Sequence, residues 1–157
     1  MKKRLSLFLL IPFLCFSCSK GQIRYGVSPY IEISTSEKGE IVTLLPSEVK
    51  EKMDNKESFP LLLQKTGCDY CSIAKENYIN PFLENNPIII YSINSSEIIG
   101  IDNEKEIYEQ IVEPFKNINS EGYRVVPHLA VIHEGNYVNG ESYMEFYTLL
   151  IESYFIY

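Results

Sequence analysis

Apolar and polar positions divide the chain into a strongly apolar leader and a body in which strand-like and helix-like patterns alternate. Leu5 to Phe16 is almost unbroken apolar sequence behind the basic triplet Lys2, Lys3 and Arg4. A membrane-spanning helix needs roughly 20 apolar residues; this run is shorter and carries Pro12, so it predicts a targeting segment rather than a span. Residues 19 to about 29, with Gly21, Gly26 and Pro29, show no apolar period and read as a tether. Tyr30 to Ile33 alternates weakly and suits a peripheral strand. Leu45, Val49 and Met53 recur every four residues, predicting a helix over 46–53. Phe59-Pro60-Leu61-Leu62-Leu63 predicts a short strand covered on both faces.

The pattern turns helical from Cys68 to about Asn85, with Cys71, Ala74 and Tyr78 on one stripe, and Pro81 is expected to bend or interrupt that helix. Ile88 to Ile93 is a second continuous apolar strand, followed by a polar loop around 94–103. Ile107, Ile111 and Phe115 mark the inner face of a helix over about 104–115. Val125-Val126-Pro127 then enters a strand over 128–132, which turns through Glu134-Gly135-Asn136 into Tyr137-Val138. Gly135 and Asn136 are the residues available for the positive φ angles such a hairpin demands. Ser142 and Glu145 have capping-box spacing ahead of a closing helix striped by Tyr143, Phe146, Tyr147, Leu150, Ile151 and Tyr154.

Strands alternating with helices imply an α/β fold with a parallel core, here closed by an antiparallel hairpin. At 157 residues and 45% hydrophobic composition, one globular domain is expected behind the leader. The formal charge is −7, and loss of the leader's three basic residues would leave 11 Lys plus Arg against 21 Asp plus Glu, or −10. So acidic a body argues against nucleic acid, whose phosphates reward basic surfaces.

Four cysteines are present, two in the leader and a lone pair, Cys68 and Cys71, in the body. In an oxidising compartment such a pair forms a disulfide that is either structural or catalytic. A bridge across two intervening residues constrains little of the unfolded chain, so it staples poorly, and catalysis gains by comparison. Residues three apart on a helix lie about 5 to 6 Å apart at Cβ, close enough for small adjustments to join two sulfurs. The partial positive charge and free N–H groups of a helix start stabilise a thiolate, which makes Cys68 the expected nucleophile and Cys71, one turn further in, the expected resolving thiol. Zinc is the rival use of the spacing. It normally wants four ligands, and the remaining donors, His128 and His133, fall on opposite faces of a strand. The reading calls for no metal and no cofactor.

The combination of a strand leading into Cys68-Asp69-Tyr70-Cys71 at a helix start, Val126-Pro127 entering a strand 56 residues after Cys71, the 134–136 hairpin and a closing helix resembles the thioredoxin superfamily. The resemblance covers roughly 45–157. It implies a thioredoxin-like α/β fold with a central mixed β-sheet flanked by helices, a C-terminal β-hairpin and a closing helix. It further implies a cis peptide bond at Pro127 beside the sulfurs, with the Val126 backbone free to pair with an extended substrate. Tyr70, between the cysteines, is expected to be exposed for substrate contact. The departures are Gly67 where many members have tryptophan and Leu62 where many have a buried acid, which leaves Cys71 without the usual proton acceptor. Glu57 and Lys65 read as solvated surface charges. Asp69 would oppose the helix effect on Cys68. His128 reads as a core or surface histidine sooner than as part of the active face, and His133 as solvent-exposed.

Leu14-Cys15-Phe16-Ser17-Cys18 resembles the cleavage box of bacterial lipoproteins, in which a small residue precedes a cysteine that is acylated. Cys18 after Ser17 fits better than Cys15 after Leu14, and a plain signal peptide or an uncleaved anchor is the alternative. The expected layout is a lipoprotein signal peptide over 1–17, a tether over 18–29 and a thioredoxin-like domain over 30–157. The expected activity is thiol-disulfide exchange with protein thiols or disulfides at the outer face of the cytoplasmic membrane, with a membrane electron donor or acceptor as a further partner. A non-catalytic lipoprotein with a structural bridge and a partner-binding surface is the competing expectation.

Overall fold

The computed structural model describes residues 31–156 apart from Ser34, Lys116, Glu121 and Tyr123. The leader, Cys15, Cys18 and the 18–29 tether lie outside the described residues. Among those described, no helix is long and apolar enough to cross a membrane.

The apolar run Phe59–Gln64 forms strand β3, and all six of its residues are buried because β3 is the centre of the main sheet. Around it lie β2 (Glu40–Thr43), β4 (Ile89–Asn94), β5 (His128–His133) and β6 (Asn136–Glu141), in the order β2-β4-β3-β5-β6. β2, β4 and β3 run parallel, whereas β5 runs antiparallel to both of its neighbours, β3 and β6, so the sheet is mixed as expected. Strand alternation sends side chains to opposite faces. Leu62, Ile90, Leu129 and Val131 face one helical layer, and Leu61, Leu63, Ile93, Ala130 and Ile132 face the other.

The first layer holds α2 (Asp69–Ala74), α3 (Asn80–Leu83) and α5 (Tyr147–Tyr154); the second holds α1 (Pro46–Asp54) and α4 (Asp102–Val112). A short strand β1 (Ile31–Glu32) pairs in parallel with β7 (Phe155–Ile156) as a separate two-stranded sheet. The weak alternation at Tyr30 to Ile33 thus marks a real but peripheral strand. β2 is an addition: four residues at a sheet edge, with partly exposed Ile41 and Val42, carry too little pattern to predict a strand.

Several local expectations need correction. Leu45 is the N-cap of α1 and 42% exposed, so only Val49 of its stripe is fully buried; the Leu45 N–H donates to Glu48 Oε2 at 2.7 Å. A π turn over Lys75–Ile79 joins α2 to α3, interrupting the helix just before Pro81. Its i to i+5 bonding takes in one extra residue, so the buried stripe after Ala74 slips from Tyr78 to Ile79.

In the hairpin the left-handed residues are Glu134 (φ 48°) and Gly135 (φ 76°), not Asn136, because His133 pairs with Asn136 and leaves a two-residue turn. The Ser142–Glu145 capping box does not form. Glu141 Oε1 accepts the N–H groups of Ser142 (2.8 Å) and Tyr143 (2.9 Å), Ser142 Oγ is drawn to His128, and a 3-10 turn over Met144–Phe146 precedes α5. Tyr143 is accordingly 67% exposed, and the inner face of the closing helix begins at Tyr147.

Candidate functional site

Parallel strands β3 and β4 end side by side at Gln64 and Asn94, and antiparallel β5 begins beside Leu63 at His128. Three connecting segments therefore meet at one end of the sheet: the loop into Cys68, the loop after Asn94, and the approach to Pro127. The first is held by the second. Asn94 Oδ1 accepts the Thr66 N–H at 3.2 Å and the Ser96 N–H at 3.2 Å, while Asn94 Nδ2 donates to Thr66 Oγ1 at 2.9 Å and Glu97 Oε1 at 2.7 Å. Ser96 Oγ also accepts from Thr66 N, and Gly67 takes φ +71° to turn the chain into the helix.

Cys68 is the N-cap of α2, and its sulfur accepts the Cys71 N–H at 3.1 Å. The two cysteines are joined in a disulfide with Cα atoms 5.2 Å apart. Cys71 is 3% exposed whereas Cys68 is partly open, so of the two sulfurs only that of Cys68 can be approached from solvent. Tyr70 projects beside it at 66% exposure, and Asp69 is exposed as well.

The peptide bond between Val126 and Pro127 is cis. It brings the Val126 carbonyl oxygen to 3.9 Å from Cys68 Sγ. In the disulfide form the sulfur carries no proton, so this is a close approach and not a hydrogen bond; the reduced thiol has one to donate. The sequence-derived residues Cys68, Cys71, Tyr70, Val126 and Pro127 are thus gathered at one end of the sheet.

The remaining candidates lie elsewhere. Glu57 precedes β3 at its far end and pairs with Lys52 at 3.1 Å, roughly 20 Å of extended chain from the cysteine end. Lys65 is exposed. Leu62 is buried on the α2 face, and the polar groups nearest it in the sheet are neutral: Gln64 Nε2 donates to Ser92 Oγ at 3.1 Å, and Ser92 Oγ meets Thr43 Oγ1 at 2.9 Å. This row crosses three strands and had no sequence signal beyond polar residues at apolar strand ends.

His128 is a core residue, 3% exposed and lying 5.8 Å from the Phe115 ring. Its Nδ1 bonds to Ser142 Oγ at 2.9 Å, and its Nε2 is buried without a partner among the described residues, close to Gly140. Burial pushes its pKa down to about 4, with Glu141 opposing and Arg124 adding to that shift. His133, at the other end of β5, bonds to Ser58 Oγ and is only half exposed. The described residues bring together no group of three or more His, Cys, Asp and Glu able to hold a metal.

No family model and no curated protein sequence matches the chain. Among solved structures, the short form of thioredoxin f from spinach chloroplast aligns with a TM-score of 0.50 over 76% of this chain and 96% of that one, at 15% identity. The fold is thioredoxin-like. In this thioredoxin-like domain the cysteine pair sits at a helix start, and the cis-proline backbone faces its accessible sulfur.

Proposed function

We propose that this protein is a thiol-disulfide oxidoreductase that exchanges disulfides with protein substrates outside the cytoplasm, anchored to the membrane through acylated Cys18. One observation carries the catalytic part: an approachable Cys68 sulfur, bonded to shielded Cys71, lies 3.9 Å from the Val126 carbonyl ahead of a cis-proline. In the oxidised form, a thiolate of a partner dithiol attacks Cys68 Sγ, breaking the Cys68–Cys71 bond and releasing the Cys71 thiolate. The partner's second thiolate then attacks its own sulfur in the mixed disulfide and releases Cys68, so two electrons pass from the partner dithiol to the pair. In the reverse direction Cys68 attacks a partner disulfide and Cys71 resolves the adduct. Val126, Pro127 and Tyr70 form the polypeptide-binding side of the site.

The anchor and the compartment rest on the sequence: a basic start, an apolar run and Ser17-Cys18 at its end. Firm anchoring needs more than one acyl chain, as a single chain binds only marginally. A membrane electron donor or acceptor would fit such an anchor.

Cys71→Ser should trap partner proteins on Cys68 as mixed disulfides that dissolve on reduction, and recovery of no adduct from cells would defeat the exchange reading. Cys18→Ser should move the protein out of the membrane fraction; unchanged fractionation removes the anchor. Apolar Leu62 under the helix favours a second reading, a structural bridge in a non-catalytic binding protein. Titration with glutathione separates the two, since a structural bridge resists reduction and a catalytic one equilibrates.

A further inference from the structure

The backbone that faces Cys68 is itself gripped from behind. Asn117, 6% exposed, takes both polar groups of Val125: its side-chain Nδ2 donates to the Val125 carbonyl at 3.0 Å, and its own carbonyl accepts the Val125 N–H at 2.7 Å. Ile118 and Arg124 form an antiparallel bridge, so the segment folds back on itself before delivering Val126. Arg124 ties this turn to the second helical layer. Its Nη1 donates to the Val112 carbonyl at the end of α4 (2.7 Å) and to Asn117 Oδ1 (3.2 Å), and its Nη2 meets Glu109 at 3.4 Å.

A guanidinium holds several acceptors in a fixed plane, which a lysine cannot do. Here that plane joins the carbonyl at the end of α4 to the asparagine that fixes Val125. Nothing in this chain of contacts reaches a sulfur. The next residue along, Val126, presents its carbonyl to Cys68.

We infer that Asn117 and Arg124 are positioning residues that hold the Val126–Pro127 backbone at Cys68, and so set how tightly a partner polypeptide is bound before exchange. The inference rests on the exchange activity proposed above. It predicts a split between binding and chemistry, because the cysteine pair and its helix are untouched by either side chain.

The test follows oxidation of the fully reduced protein by two probes, an extended disulfide-bridged peptide and hydroxyethyl disulfide, which is too small to use the Val126 backbone. Asn117→Ala and Arg124→Met should raise the half-saturating peptide concentration about 10-fold, equivalent to about 1.4 kcal/mol. The limiting rate with peptide and the rate with hydroxyethyl disulfide should stay within about 2-fold. Asn117→Ser is the milder variant if either fails to fold. Unchanged peptide saturation in these variants, or equal losses with both probes, overturns the inference while leaving the exchange reading standing. A wild-type protein that reacts with hydroxyethyl disulfide but not with the peptide overturns both.

Discussion

Acidification should weaken this fold through one imidazole. His128 is enclosed by Phe115, Gly140 and Ser142, and burial sets its pKa at about 4 against 6.5 in the unfolded chain. Because the folded value is depressed, the unfolded state takes up a proton first as pH falls. The neutral-histidine contribution is complete above pH 6.5 and is lost between 6.5 and about 4. The difference amounts to about 2 kcal/mol at pH 5, from 1.36 kcal/mol for each pKa unit.

Chemical denaturation of wild type and His128→Gln at pH 7.5 and pH 5 gives the measurement. Subtracting the two pH slopes cancels the carboxylates and His133, which both proteins share. The wild type should lose about 2 kcal/mol more than the variant. Equal slopes would mean that the folded protein accommodates a charged imidazole at this position, and the argument from burial would fail. Since His128 directly follows Pro127, the same titration should be felt at the cysteine end of the sheet.

Two further substitutions probe the far hairpin and the loop beside the site. Gly135→Ala should cost about 2 kcal/mol or more in unfolding free energy, because the residue sits at φ +76° and an added Cβ would come within 1.9 Å of the Met53 carbonyl oxygen; a variant with wild-type stability would contradict the observed packing. Asn94→Ala removes the side chain that holds Thr66 and Ser96. It should lower stability by about 1 to 2 kcal/mol and speed amide exchange at Thr66, with exchange at Val131 in the central sheet unchanged; equal effects at both would argue against a local role.

The parts of the fold written most plainly in the sequence are those whose burial is continuous or strictly periodic. β3 and β4 are apolar runs because both faces are covered, and α4 and the 3-10 turn over Glu113–Phe115 that follows it show their inner face through Ile111 and Phe115. The cysteine pair was legible because its chemistry depends on residue type and spacing, whereas the cis bond at Pro127 was expected only from the resemblance that the motifs carry. What was not legible depends on partners distant in sequence. β2 and β7 are strands only because a neighbour pairs with them. Ser142 has the spacing of a helix cap, yet Glu141 captures the free N–H groups and His128 captures its hydroxyl. Asn94 and Asn117 sit in polar stretches without periodicity, so nothing in the pattern marks them as the residues that fix the two loops bearing the site.

The pairing of β1 with β7 has a mechanical consequence. Ile31 and Phe155 are both 3% exposed and lie opposite one another, so whatever precedes residue 31 enters the domain alongside its last strand. A pull on the upstream segment would load this two-residue seam before it reached the main sheet. Deleting 155–157 would remove the strand partner of Ile31 and leave this corner of the domain frayed.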